Sequence, residues 1–462
     1  MWRGKLMKII IIGCGKIGYN LAENLAEEGN EVVIVDKNAE VLKTAVENLD
    51  VMCINGSGVS TNVLLEAGAR GADLLIAATA GDEMNMICCL TAKSLGVKHT
   101  IARIRDTQYA NELSTLKHDL GLDMIINPEQ EVAAEISRLL QFSPALNVEV
   151  FAGNQVEIID ICVKKDMPII DKKLKDLASE YSASILIGAV LREDCAIIPD
   201  GEFMVRENDR LYIVGKPAML YEFCLKCGIR AEKIKAAMIM GGGRIGYYLA
   251  KYLDSVNIKV KIIEKNYEQC KELAKQLPHA VIIHGDGSDG AVLEMENIDK
   301  MSAFISVTGH DEDNLIAAFF AKEFGVPKVI AKTSRPALPK IVKTSGIDNL
   351  VRPNLVTANQ ILRFARGLKN AVGNPVNALY KIVEGKAEAV EFTVGGASRL
   401  VNTPLKDLYL KKEVLIAAIA RGGEILIPHG DDLLKPGDLV VIITRNMYLS
   451  DLDSIAYTEG AQ

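Results

Sequence analysis

Residues Ile10–Ala22 read IIIGCGKIGYNLA, and residues Met238–Ala250 read MIMGGGRIGYYLA. In both, a short apolar run leads into three glycines spaced GxGxxG, and an amphipathic stretch follows. The apolar run reads as a parallel strand buried on both faces, and the glycines open the next helix. The first glycine permits a tight turn, the second lets the backbone approach a pyrophosphate, and the third lets helix and strand pack closely. These are Gly13, Gly15 and Gly18 in the first stretch and Gly241, Gly243 and Gly246 in the second. An acid closes the next predicted strand in each: Asp36 and Glu264. A carboxylate there accepts hydrogen bonds from ribose hydroxyls and repels a 2′-phosphate. This favours NAD(H) or the adenosine phosphates ATP and ADP over NADP.

The two stretches belong to a longer repeat. Gly13 recurs 228 positions later as Gly241, and Asp36 recurs as Glu264. At an offset of 229, Gly81–Asn85 (GDEMN) matches His310–Asn314 (HDEDN), and Ile101–Arg103 matches Ile330–Lys332. Pro199 and Asp209 likewise recur as Pro428 and Asp438. The chain is therefore a tandem duplication. In the first half, strands are predicted at Lys8–Ile12, Glu31–Asp36, Val51–Ile54, Asp73–Ala77, Thr100–Ile104 and Asp123–Ile126. Helices are predicted at Lys16–Glu28, Ala39–Asn48 and Asp82–Leu95. This alternation implies right-handed crossovers and a parallel sheet covered on both faces. The remainder of each half is richer in β-branched runs and turn signals.

The expected fold class is α/β: two tandem Rossmann-like parallel-sheet domains, each followed by a small α+β subdomain. The expected spans are 1–143, 144–230, 231–373 and 374–462. Met1–Leu6 reads as an upstream extension of a natural start at Met7. Pro128 and Pro353 each begin a helix. Val132, Ala133, Ile136, Leu139 and Leu140 mark the apolar face of the first, and Leu355, Val356, Ile361 and Leu362 that of the second. Each helix either packs on its own sheet or crosses to a neighbouring unit; periodicity leaves both open.

Further candidates cluster where strands end. Asn55, Gly56 and Ser57 follow the third strand, Thr79 and Ala80 the fourth, and Arg103 lies on the fifth. Gly285, Asp286, Thr308, Gly309 and Lys332 correspond in the second half. Arg103 and Lys332 either pair with phosphate or are strand-end surface charges, and Lys16 and Arg244 at the helix starts either add to phosphate binding or are solvated helix residues.

Composition narrows the function. A net charge of −7 argues against a broad nucleic-acid-binding face. The early run Ile9–Ile12 is far too short to span a bilayer, so any membrane role comes through a partner. The nine cysteines are scattered and odd in number, as expected for reduced thiols in the cytoplasm. The lone CxxC, Cys224 and Cys227, reads as two semi-buried small hydrophobes, since a structural zinc site needs a second ligand pair. An NAD-dependent oxidoreductase needs a proton-transfer group facing the nicotinamide. None of the six histidines (His99, His118, His279, His284, His310 and His429) recurs in both halves, and each reads as a surface or loop residue. Phosphate-loop GKS/T, GxSxG and HExxH motifs are absent. A binding fold with no catalytic constellation points to a sensor rather than an enzyme. A nucleotide sensor serving another ion transporter is the further alternative.

The ordered set IIIIGCGKIG, Asp36, NGSG, TAGDEMN and IARIR, with DRLYIVG and GDLVVIIT in the β-rich parts, resembles the RCK/KTN family of cytoplasmic regulators of potassium channels and transporters. The resemblance covers essentially the whole chain. It implies NAD(H) or ATP/ADP binding and assembly into a homo-oligomeric ring of RCK units. It also implies peripheral docking on the cytoplasmic face of a potassium-translocating membrane subunit. Carried over, the phosphate loop falls on Gly13, Cys14, Gly15, Lys16 and Ile17, the ribose acid on Asp36, and later contacts on Thr79, Ala80 and Arg103. Gly241, Gly242, Gly243, Arg244 and Ile245 form the corresponding loop. Glu264 in place of Asp36 and Lys332 in place of Arg103 leave open whether both sites prefer one nucleotide.

Overall fold

The computed structural model describes residues 6–106, 109, 121–141, 148–153, 155–181, 185–229, 233–335, 347, 349–369, 374, 376–445, 449 and 451–457. Most of the predicted N-terminal extension, His118 and the domain boundaries predicted after residues 143, 230 and 373 lie outside the described residues. The chain divides into two compact units. The first runs to Val132 and adds Arg352–Lys369; the second holds Ala133–Val351 and the chain from Asn370 onward.

In the first unit, β1 (Lys8–Ile12), α1 (Lys16–Glu27), β2 (Glu31–Asp36), α2 (Ala39–Asn48) and β3 (Met52–Asn55) are followed by α3 (Thr61–Glu66), β4 (Leu74–Ala77), α4 (Asp82–Ser94), β5 (His99–Arg103) and β6 (Met124–Ile126). The six strands are all parallel, in the order β3-β2-β1-β4-β5-β6. Strand β1 is central, and its side chains alternate between two cores. Ile9 and Ile11 pack with Leu21 and Leu25 of α1, while Ile10 and Ile12 pack with Leu64, Cys88 and Ala92 of α3 and α4. Burial on both faces explains why four isoleucines occur in a row, each worth about 1.5–3 kcal/mol when fully buried.

The chain enters the second unit within α5 (Pro128–Gln141). It then forms β7 (Val148–Phe151), β8 (Val156–Cys162), α6 (Leu174–Tyr181), β9 (Ile185–Arg192), β10 (Cys195–Ile197), β11 (Arg210–Gly215) and α7 (Pro217–Lys226). A second Rossmann-like sheet follows: β12 (Ala236–Met240), α8 (Arg244–Ser255), β13 (Lys259–Glu264), α9 (Tyr267–Gln276), β14 (Val281–His284), α10 (Gly290–Met295), β15 (Ala303–Ser306), α11 (Asp311–Glu323), β16 (Lys328–Lys332) and β17 (Asn349–Val351). Its order, β14-β13-β12-β15-β16-β17, repeats that of the first sheet. After α12 (Pro353–Lys369) come β18 (Val376–Ile382), β19 (Ala387–Thr393), β20 (Val414–Arg421), β21 (Glu424–Leu426) and β22 (Leu439–Thr444).

Strands β7–β11 and β18–β22 form two antiparallel five-stranded sheets that bury a shared core. Phe151 meets Tyr380 edge-on at 5.0 Å, and Arg210 pairs with Asp160 and, at 3.4 Å, with Glu384. Each sheet also repeats a bidentate pair, Arg192–Asp209 and Arg421–Asp438, with N···O separations of 2.7–2.8 Å. This explains why Asp209 and Asp438 recur at the repeat offset. Cys224 and Cys227 are both buried, and burial pushes each thiol up to about 12, so neither forms a thiolate readily.

The helix after Pro353 takes the crossover alternative. Ala358, Ile361, Leu362 and Ala365 of α12 pack in one core with Ile17, Leu21 and Leu25 of α1. Arg366 donates from Nε and Nη2 to Glu28 Oε1 at 3.0 and 2.6 Å, with both side chains almost fully buried. Among the described residues, no helix is long and apolar enough to cross a membrane.

Candidate functional site

Both parallel sheets reverse strand order between their first and fourth strands, at β1/β4 and at β12/β15. A crevice beyond the carboxyl ends at such a switch point is where open α/β sheets bind ligands. The glycine loops lie there. Gly13 and Gly241 hold left-handed φ values of +101° and +107°, which side-chain-bearing residues rarely adopt. A Cβ on Gly18 would stand 1.9 Å from the Gly13 carbonyl oxygen, and one on Gly246 would stand 2.1 Å from the Gly241 oxygen. Those third glycines serve strand–helix packing. Gly15 and Gly243 are different: a Cβ on either meets no atom within 4 Å. That open space lies beside the first turns of α1 and α8, which contain no acidic residue. With no acid in the first turn and no side-chain cap, the helix-start N–H groups and their partial positive charge fit a phosphate group.

The acids bind the loop itself. Asp36 Oδ2 accepts the Cys14 N–H at 2.6 Å, and Oδ1 accepts the Asn38 N–H at 2.8 Å. Glu264 repeats both contacts with Gly242 and Asn266, at 2.8 and 2.7 Å. Each oxygen retains a further lone pair for a ribose hydroxyl. The longer glutamate thus performs the same bridging as the aspartate. The Cys14 and Ile17 side chains point into the core, as does Ile245, so only their backbones face the loop. Burial pushes the Cys14 thiol up to about 11. Lys16 and Arg244 are exposed at their helix starts.

Other predicted residues have structural partners. Asn55 donates to the Asp36 and Lys37 carbonyls at 3.2 and 3.1 Å. A Cβ on Gly56 would press on Val63, whereas one on Gly309 would meet nothing. The Ala80 carbonyl accepts Arg105 Nη2 at 2.9 Å, and Arg103 Nη1 reaches the Ala78 carbonyl at 3.4 Å. Asp286 accepts Lys265 Nζ and the Ser288 hydroxyl, both at 2.7 Å, and these contacts lower its pKa to about 2. Lys332 ends β16 in the place Arg103 takes on β5.

Sequence reasoning missed Asn85 and Asn314. Both are fully buried. Asn85 Oδ1 accepts the Thr79 N–H at 2.8 Å and its hydroxyl at 2.6 Å, and Nδ2 donates to the Arg103 carbonyl at 2.8 Å. Asn314 reproduces these contacts with Thr308 and Lys332 at 2.9, 2.8 and 3.1 Å. Each amide ties the ends of the fourth and fifth strands into one rim. The signal was present in the recurrence of Asn at the fifth position of GDEMN and HDEDN. Asn85→Ala leaves the Thr79 N–H and the Arg103 carbonyl without this partner, so we expect a loss of about 1–3 kcal/mol in stability. Hydrogen exchange of the β4 and β5 amides in the variant checks this, and unchanged protection contradicts the assigned role.

Comparison with known proteins agrees with this architecture. The TrkA-N domain model matches residues 9–128 and 237–353, and the TrkA-C domain model matches 158–228 and 389–454. The chain is 34% identical to the Trk system potassium uptake protein TrkA homolog 1 of Methanosarcina mazei over 455 residues, covering 97% of this chain and 99% of that protein. It is 33% identical to TrkA of Vibrio alginolyticus over 457 residues, covering 97% and 98%. Among solved structures, the GsuK channel bound to NAD superposes with a TM-score of 0.62 at 19% identity, over 96% of this chain and 78% of that one. The GsuK RCK domain gives 0.61, also at 19% identity, over 96% and 93%. At that identity the two structures establish a shared fold. With both domain models matched twice, and full-length relatives about one-third identical, this chain belongs to the TrkA family of Trk-system potassium uptake proteins.

Proposed function

We propose that the chain is a regulatory subunit that binds NAD(H), ATP or ADP in its two crevices and gates a potassium-translocating, TrkH/TrkG-like membrane partner from the cytoplasmic face. The observation that carries this reading is the duplicated cradle: open space at Gly15 and Gly243, a helix start with no acid in its first turn, and a carboxylate bridging the loop. The names of the relatives support the transport role, and the NAD-bound GsuK structure supports the ligand class. Helix α1 carries the Gly15 cradle at one end, and Glu28, paired with Arg366 of α12, directly follows its other end. A ligand that shifts α1 therefore shifts the population of α12 positions, the step that regulation without chemistry requires. Assembly of such units into a homo-oligomeric ring would add these shifts.

The oxidoreductase alternative requires a proton-transfer group facing the nicotinamide in the crevices. Among the described residues at the strand ends, His284 contacts the Lys265 carbonyl and has Asn55 as its counterpart, while His310 donates its backbone N–H to the Thr308 hydroxyl and has Gly81 as its counterpart, so neither recurs in both crevices. Potassium flux through proteoliposomes containing the membrane partner, with and without this chain and NADH or ATP, tests the proposal. Flux indifferent to both would overturn it. At the site itself, Asp36→Ala should weaken nucleotide binding about 10- to 100-fold, the worth of hydrogen bonds to a charged acceptor. Calorimetry reads this loss, with Asp36→Asn, which keeps one acceptor oxygen, falling between the two.

A further inference from the structure

Building on the proposed nucleotide binding, we propose that the two crevices are not equivalent: the second reads the nucleobase through an aromatic seat formed by Tyr267 and His284, and the first reads only phosphate and ribose. Tyr267 opens α9 three residues after Glu264. His284 closes β14 in direct register with Glu264. Their ring centroids lie 5.3 Å apart at 61°, and Tyr267 is 56% exposed. The Lys271 ammonium sits 4.4 Å from the Tyr267 ring centroid, a cation–π contact that occupies one face of the ring. Asp286 flanks the seat with a carboxylate held by Lys265.

The first crevice has the same backbone plan without the rings. Ala39 stands in the place of Tyr267, Asn55 in that of His284, and Ser57 in that of Asp286. Asn55 Nδ2 donates to the Lys37 carbonyl at 3.1 Å, and His284 Nε2 donates to the Lys265 carbonyl at the same distance. Tethering the loop after the acid therefore needs no ring. Because that carbonyl can only accept, Nε2 carries the hydrogen. Tyr267 is largely exposed, so fold stability does not account for an aromatic there. What both residues add is a stacking surface beside the ribose acid, with acceptor oxygens on Asp286 for an exocyclic amine. The ligand chemistry this fits is an adenine nucleotide. The first crevice, lacking the seat, takes phosphorylated ribosides with little regard to base.

Calorimetric titration of the full chain with ADP and with UDP tests the proposal. Asp36→Ala is used as background to weaken the first crevice. In that background the second crevice should prefer ADP, and Tyr267→Ala with His284→Ala should weaken ADP about tenfold, the scale of one lost base–aromatic stack, and UDP by less, since the smaller pyrimidine covers less of the rings and carries no exocyclic amine. In a Glu264→Ala background, Ala39→Tyr with Asn55→His should tighten ADP by a similar factor. All four positions are at the surface, and Tyr267→Leu controls for lost apolar area. ADP affinity unchanged by the Tyr267 and His284 substitutions, in a chain that still binds ADP, overturns this inference alone. A native chain that binds neither ADP nor NADH overturns the nucleotide reading and this inference with it.

Discussion

Arg366→Ala should destabilise the first unit by about 3–5 kcal/mol, because it leaves the Glu28 carboxylate buried without its guanidinium. Both side chains are nearly inaccessible, and two donors of Arg366 converge on one Glu28 oxygen. Removing one member of a buried pair costs far more than the pair is worth, since the remaining charge keeps its desolvation penalty. The double substitution Arg366→Met with Glu28→Met should therefore recover most of the loss, as apolar groups of similar volume join Leu21, Leu25 and Leu362 in the surrounding core. A chain of several domains does not unfold in a single step, so hydrogen exchange of α1 and α12 amides is the appropriate reading. Faster exchange confined to those helices is the expected pattern. A single-variant loss below about 1 kcal/mol would mean that the pair is solvated in solution.

That ion pair also marks where sequence reading stops. The apolar face of the helix after Pro353 was visible at helical spacing, but periodicity names a face and not what covers it. The partner, α1, lies more than 300 residues earlier. The sheets were legible because their strands are buried on both sides and read as unbroken apolar runs; the predicted Val51–Ile54 differs by one residue from the observed Met52–Asn55. Helix α3 was not legible: six residues span less than two turns, too few to display a period. In the crevices, the glycines and acids were readable because each has a backbone reason to be what it is. Asn85 was not, since a polar residue on a helix ordinarily reads as solvated, and here it is buried with its amide fully engaged. Cys14 and Ile17 were assigned to the loop by position. Their side chains serve the core while their backbones form the cradle, a division that one-letter sequence does not display.

The glycines themselves allow the cradle to be tested apart from the fold. Gly18→Ala drives a Cβ to 1.9 Å from the Gly13 oxygen, so it should displace α1 and damage stability and binding together. Gly15→Ala has no such penalty. Its φ of −73° suits any residue, its Cβ meets nothing within 4 Å, and at the helix N-cap replacing glycine by alanine costs on the order of 1 kcal/mol, far less than a backbone clash. The added methyl nevertheless occupies the space through which a pyrophosphate must approach the α1 N–H groups. We expect Gly15→Ala to retain native unfolding behaviour and to lose nucleotide affinity at the first crevice by at least about tenfold, equivalent to roughly 1.4 kcal/mol. Gly243→Ala should do the same at the second, where φ is −68° and the space is equally open. If both alanine variants fold normally and bind NADH, ATP and ADP with native affinity, the open space is not where phosphate sits. The helix starts would then lose their assignment, because a ligand held only by the acids and strand-end rims would not register a methyl placed at the second glycine.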